Sequence, residues 1–156
     1  MKQFYKITVL LGFFVLSADL LSADAAIKAH APWVQDAPPT VKVHAAYMTL
    51  ENTSEHSVTV AGIESPAFER VEIHKSEIHQ DMVKMMHQKR LKIPAHSRIE
   101  FKPGGYHFML MGKKHIIKHG DEVTIRLTLA DGSEVVITAE VRKAMEHSKH
   151  SGHSMH

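Results

Sequence analysis

Cysteine is absent from the 156-residue sequence. The chain can therefore form no disulfide, and it has no thiol that could carry a lipid. A blue-copper electron-transfer centre needs a Cys thiolate as copper ligand, so that kind of centre is excluded as well. Oxidising compartments convert pairs of thiols to disulfides. A metal carrier working in such a compartment gains from soft ligands that do not form them, such as the thioether of methionine.

An excess of one charge is also missing, because 19 Lys and Arg residues stand against 17 Asp and Glu residues. Nucleic-acid binding calls for a concentrated basic stripe, so we expect no nucleic-acid partner. The sequence contains no nucleophile motif and no paired acid–base signature, which predicts that the protein is not an enzyme. Two residue types are plentiful instead, with 14 histidines and 9 methionines.

The first 25 residues are typical of a secretory signal peptide. Lys2 and Lys6 precede a ten-residue apolar run, 7–16, and Ala23-Asp24-Ala25 offers an A-x-A cleavage site. The run is too short to span a bilayer, which takes about 20 residues. We therefore expect export to the periplasm, a mature protein that begins near Ala26, and no stable membrane association after cleavage.

Residues 26–143 are expected to form one all-β domain. In 122–130 apolar and polar residues alternate strictly, and the alternation resumes over 135–141 after the turn dipeptide Asp131-Gly132. Shorter segments with strand character, separated by Pro and Gly, bring the total to seven or so. This spacing predicts a Greek-key β-sandwich. The segments are 43–50, 58–63, 68–74, 98–102 and 106–111.

The C-terminal segment 144–156 differs in composition from the domain. It is polar and rich in His, Ser and Gly, which predicts a disordered tail. Its histidines fall at every third position, and imidazole clusters bind Cu(II), Zn or Ni. We expect this tail to bind metal, with Cu(II) as the first candidate. The tail residues concerned are His147, His150, His153 and His156, with Met155 as a possible extra ligand.

The segment 106–111 (YHFMLM) carries the chemistry of the domain. On a strand, alternation puts His107 and Met109 on one face, and residues two apart lie roughly 6.5–7 Å apart, close enough to converge on one ion. His74 shares the outer face of its strand with Glu72. Cu(I) is soft and prefers thioether and imidazole, whereas Mg, Ca and Mn prefer oxygen.

The spacing His74-x10-Met85-x21-His107-x-Met109 resembles the copper motif of the periplasmic copper chaperones called PCuAC. The resemblance extends from about Trp33 to Val141. It implies a cupredoxin-like β-sandwich, a primary Cu(I) site made of the two His and two Met residues, and delivery of Cu(I) toward the CuA centre of cytochrome c oxidase or another periplasmic copper protein. We expect the carrier to be a monomer.

Met86-His87 stands where this family has Arg-Pro, and several further methionines are possible extra ligands: Met82, Met86 and Met111. Two alternatives remain open. In the first, the protein is a periplasmic buffer of copper or zinc that acts mainly through its tail. In the second, it is an Ig-like interaction module whose His and Met residues are incidental. The remaining histidines are expected on the surface: His30, His44, His56, His79, His87, His96, His115 and His119.

Overall fold

The computed structural model describes residues 26–79 and 82–143. These residues form strands and connecting turns and contain no helix, so none of them belongs to a helix that could cross a membrane. The expected signal peptide, 1–25, and the expected tail, 144–156, lie outside the described residues. The strands are β1 (Ile27–Gln35), β2 (Val43–Asn52), β3 (Val58–Glu64), β4 (Phe68–His79), β5 (Met82–His87), β6 (Leu91–Ile93), β7 (Arg98–Phe101), β8 (Tyr106–Lys113), β9 (Glu122–Leu129) and β10 (Glu134–Arg142).

The ten strands hydrogen-bond in the order β5-β4-β8-β7-β2-β1-β10-β9-β3-β6. β2 pairs with β8 through its first half and with β7 through its second half. β1 joins the two halves of the sheet, because it runs antiparallel to β2 and then parallel to β10. The register shift between His30 and Trp33 and the positive φ of Ala31 mark the bulge where β1 bends from one half to the other.

Period-two alternation builds the core between the two halves. β9 and β10 each bury every second residue, as the sequence predicts. From the opposite half, Val71 and Ile73 of β4 lie beside Leu110 and Phe108 of β8, and all four are buried. The all-β class expected from the sequence is therefore borne out, with ten strands in the described residues where the sequence predicts about seven.

Asn52 closes the end of the core at the last residue of β2. Its side chain is completely buried, and its amide nitrogen donates to the carbonyl oxygens of His56 at 2.7 Å, Ile93 at 3.1 Å and Pro94 at 3.0 Å. Its carbonyl oxygen accepts hydrogen bonds from the backbone and hydroxyl of Ser54. One side chain thus ties three chain segments together.

We expect Asn52→Ala to lower the free energy of unfolding by about 2–3 kcal/mol, because the substitution leaves buried carbonyl groups without donors. Urea unfolding followed by circular dichroism measures the change. Thr59→Ala on β3 is the control and should cost about 0.5 kcal/mol or less, as expected of a substitution away from such networks. Equal unfolding midpoints for Asn52→Ala and the unsubstituted protein would contradict this role.

Candidate metal centre

The outer face of β5, β4 and β8 carries the histidines and methionines that the sequence singles out. Cross-strand partners share a face, and His74 lies directly opposite His107, with their ring centroids 5.9 Å apart. Met109 lies opposite Glu72 on the same face. On the other side of β4, Met85 lies opposite Ser76. The register therefore brings the two histidines and two methionines onto one face.

In His107, one ring nitrogen makes a hydrogen bond to the backbone and the other keeps a lone pair. Its Nδ1 lies 3.1 Å from the carbonyl oxygen of Gly105, which can only accept, so Nδ1 carries the proton. Nε2 is left with a lone pair, the form in which imidazole binds metals. The turn that supplies this carbonyl needs Gly104, whose φ is +78°. The same Gly105 oxygen accepts the backbone N–H of Ser76, which fixes the turn against β4.

His74 is oriented by a carboxylate. Its Nε2 donates to Glu72 at 2.8 Å, which leaves Nδ1 with the lone pair. This Nδ1 is buried and has no hydrogen-bond partner. The hydrogen bond from His74 holds the pKa of the Glu72 carboxyl below its ordinary value, so Glu72 stays ionised and keeps the proton of His74 on Nε2. Each of the two facing histidines thus has one nitrogen free.

An open groove of about 580 Å³ lies on this face. Met85, His107 and Met109 line it, together with Ser76 and Ala45. The loop between β1 and β2 forms the opposite wall. The residues that line the groove differ in their exposure to solvent. His107 is only 8% exposed, whereas Met85 on the edge strand β5 is 52% exposed.

The wall of the groove is anchored at both ends. Asp36 N donates to the carbonyl oxygen of Arg142 at the end of β10, and Gly112 N donates to that of Lys42. The ammonium of Lys113 adds a 2.6 Å hydrogen bond to the carbonyl oxygen of Pro39. Since both anchors come from strands of the sandwich, they hold the loop in position opposite His107 and Met109.

The further methionines are not brought together with these four residues. Met82 and Met86 occupy alternate positions to Met85 on β5 and so lie on the opposite face of the β4–β5 hairpin. Met111 shares the face of Met109, but its sulfur accepts a 3.3 Å hydrogen bond from the guanidinium of Arg70. The tail residues, His147, His150, His153, His156 and Met155, lie outside the described residues.

The donor set of this face is two imidazoles and two thioethers, of which Met85, His107 and Met109 line the groove and His74 lies beside His107. Across 26–79 and 82–143, no group of three or more His, Asp and Glu side chains is arranged to hold a metal ion. Two neutral imidazoles with two thioethers suit a soft monovalent ion such as Cu(I), whereas Zn sites more often contain Cys, His or carboxylate.

The comparison with known families agrees with this geometry. The LpqE-like family matches residues 27–141, nearly the whole of the described domain. The chain belongs to the LpqE-like family. An uncharacterised protein of Rickettsia prowazekii, RP573, is 31% identical over an alignment of 140 residues that covers 85% of this chain and 76% of that protein.

Solved structures of copper-binding domains share the fold of this LpqE-like chain. The copper-bound PCuAC domain from PmoF2 superposes with a TM-score of 0.64 at 23% identity, over 76% of this chain and 94% of that domain. The Cu(I) form of DR1885 from Deinococcus radiodurans superposes with a TM-score of 0.60 at 29% identity, over 80% of this chain and 85% of that chain. The PCuAC resemblance and the cupredoxin-like all-β fold expected from the sequence are therefore confirmed.

One histidine of the LpqE-like domain differs from what the sequence predicts, and a second makes a contact that the sequence does not reveal. His44, expected on the surface, is only 2% exposed, because it lies on the core face of β2 with its ring 5.6 Å from that of Phe68. His87 is exposed as expected, but its ring stacks on that of His74 at 5.3 Å between centroids. Only the pairing of β4 with β5 reveals this contact, and the sequence carries no local signal for it.

Each facing histidine should have a defined tautomer, which long-range ¹H–¹⁵N correlation spectra of the metal-free protein can measure at a pH where imidazole is neutral. We expect the Nδ1–H form for His107 and the Nε2–H form for His74. Glu72→Ala should convert His74 to a mixture of tautomers, because its acceptor is lost. Glu77→Ala, on the other face of β4, is the control. An unchanged His74 tautomer in Glu72→Ala would overturn the assigned role of Glu72.

Proposed function

We propose that this protein is a periplasmic copper chaperone that binds one Cu(I) ion through His74, Met85, His107 and Met109. The observation that carries the proposal is the pairing of His74 with His107. One nitrogen of each ring donates its proton to a fixed acceptor, which is Glu72 for His74 and the carbonyl oxygen of Gly105 for His107, and the other nitrogen keeps a lone pair. Met85 and Met109 lie on the same face of the sheet as the two rings. The Cu(I) form of DR1885, 29% identical to this chain, supports the choice of metal.

The chemistry of the four donors supports Cu(I) over harder ions. Thioether sulfur does not have to lose a proton to bind, so two of the four ligands are available at any pH. The imidazoles bind when neutral, and the hydrogen bonds to Gly105 and Glu72 already hold the remaining proton of each ring away from the free nitrogen. Binding then costs little reorganisation at the histidines.

The proposed role is transport of copper and not catalysis. A largely buried His pair with one exposed methionine can hold an ion and still present it to another protein. We propose that the ion passes to the CuA centre of cytochrome c oxidase or to another periplasmic copper protein, and that the carrier acts as a monomer. The proposal includes export by a signal peptide over 1–25, since a recipient of this kind faces the periplasm.

We expect Met85→Leu and Met109→Leu each to weaken Cu(I) binding by about 100-fold or more, because loss of an outer-shell partner alone costs about 10–100-fold. Anaerobic titration against a chromophoric Cu(I) chelator measures the affinity. The matched control is Met86→Leu, which changes the neighbouring methionine on the opposite face and should leave the affinity unchanged. Equal effects of the Met85 and Met86 substitutions would contradict the site.

We further propose that the tail, 144–156, captures Cu(II), and that the groove receives the ion after an external one-electron reductant has converted Cu(II) to Cu(I). Lys143, the last described residue, lies against the loop Asp36–Pro39, and that loop also forms the wall of the groove. The described part of the chain therefore ends beside this loop, and an ion held by the residues that follow would be tethered to the domain, which raises its local concentration. Imidazole suits Cu(II), while the methionines suit Cu(I).

Deletion of 144–156 should abolish most Cu(II) binding and leave Cu(I) affinity nearly unchanged. A full-length variant with the four tail histidines replaced by Ser is the matched control, and it should reproduce the deletion. Isothermal titration at two pH values adds a second readout, because capture should weaken below about pH 6.5, the ordinary pKa of imidazole. Cu(II) binding that survives the deletion intact would mean that the tail has no part in capture.

A further inference from the structure

The outer face of the sheet carries a row of imidazoles that extends beyond the proposed Cu(I) site. His87 on β5 lies directly opposite His74, and His74 lies directly opposite His107. The ring centroids of His87 and His74 are 5.3 Å apart, and those of His74 and His107 are 5.9 Å apart. His87 therefore supplies one more metal-binding side chain next to the four proposed ligands.

The donors on this face form two similar pairs on either side of β4. Met85 and His87 lie two residues apart on one face of β5, as His107 and Met109 do on β8. Residues with this separation are about 6.5–7 Å apart along a strand, so both members of a pair can reach one ion. His74 lies between the two pairs and is within reach of both.

The two pairs differ in access to solvent. His107 is buried and Met109 half-buried behind the loop that forms the wall of the groove. Met85 and His87 are exposed, and β5 lies at the edge of the sheet that the described residues form. An ion held by the β8 pair is shielded, whereas an ion held by the β5 pair is open to another protein.

We propose that His87 is an additional copper ligand, which together with His74 and Met85 forms an outer Cu(I) position through which the ion enters and leaves the groove. This inference rests on the proposed function. The ion keeps His74 and Met85 throughout and exchanges His107 and Met109 for His87. Copper remains Cu(I), and each imidazole binds through a lone pair, so the exchange moves neither an electron nor a proton.

The exchange requires a rotation of the His87 ring. The rings of His87 and His74 are nearly parallel, with 17° between their planes, so their lone pairs do not converge as the side chains lie. His87 is exposed, so its ring can turn away from the ring of His74 toward solvent. A buried ligand such as His107 lacks this freedom.

The test compares His87→Ala with His79→Ala, which removes an exposed histidine from the opposite face of the same hairpin. Imidazole ¹H–¹³C spectra of the unsubstituted protein are recorded during anaerobic Cu(I) addition. We expect the His87 signals to shift together with those of His74 and His107, while those of His79 stay in place. The rate of Cu(I) transfer to excess bicinchoninate should fall by about tenfold in His87→Ala and remain unchanged in His79→Ala.

Thermal unfolding midpoints of the two variants separate a metal-binding role from a structural one, and both should equal that of the unsubstituted protein. If Cu(I) binds at the two histidines and two methionines but the His87 signals do not move and transfer is not slowed, the outer position does not exist and the proposed function stands. If the unsubstituted protein does not bind Cu(I), the proposed function itself fails.

Discussion

The pairing of β4 with β8 is the constraint on which both the core and the site depend. On the inner face it brings Ile73 beside Phe108, and on the outer face it brings His74 beside His107. Because side chains alternate along a strand, a slip of one residue would send the apolar side chains to solvent and the histidines into the core. The hydrophobic contacts that stabilise the sandwich therefore also hold the two imidazoles opposite each other, without any metal.

The four proposed ligands differ in how they are held and in how exposed they are. His107 is held by the turn at Gly104 and Gly105 and covered by an anchored loop, and His74 is held by Glu72. Met85 comes from an edge strand and is exposed. A protein that stores a metal gains from enclosing it, whereas a carrier must also release it. Two oriented imidazoles with an accessible, flexible thioether satisfy both needs.

Much of this domain can be predicted from its sequence, because period-two alternation is explicit in β9, β10 and β8. β1, β5 and β6 are harder to predict for physical reasons. β1 bends at a bulge near Ala31, and β5 is an exposed edge strand whose two faces both carry methionine. The contact of His87 with His74 depends on the register of two strands, and the burial of His44 depends on the core face of β2. Neither has a local pattern in the sequence.

The central claim is that sulfur and nitrogen bind the same copper ion. X-ray absorption spectroscopy at the copper edge of the protein loaded anaerobically with one equivalent of Cu(I) tests this directly, because sulfur and nitrogen scatter at different distances and with different strength. The account predicts both sulfur and nitrogen neighbours around the ion. A spectrum that contains nitrogen or oxygen neighbours alone would contradict it.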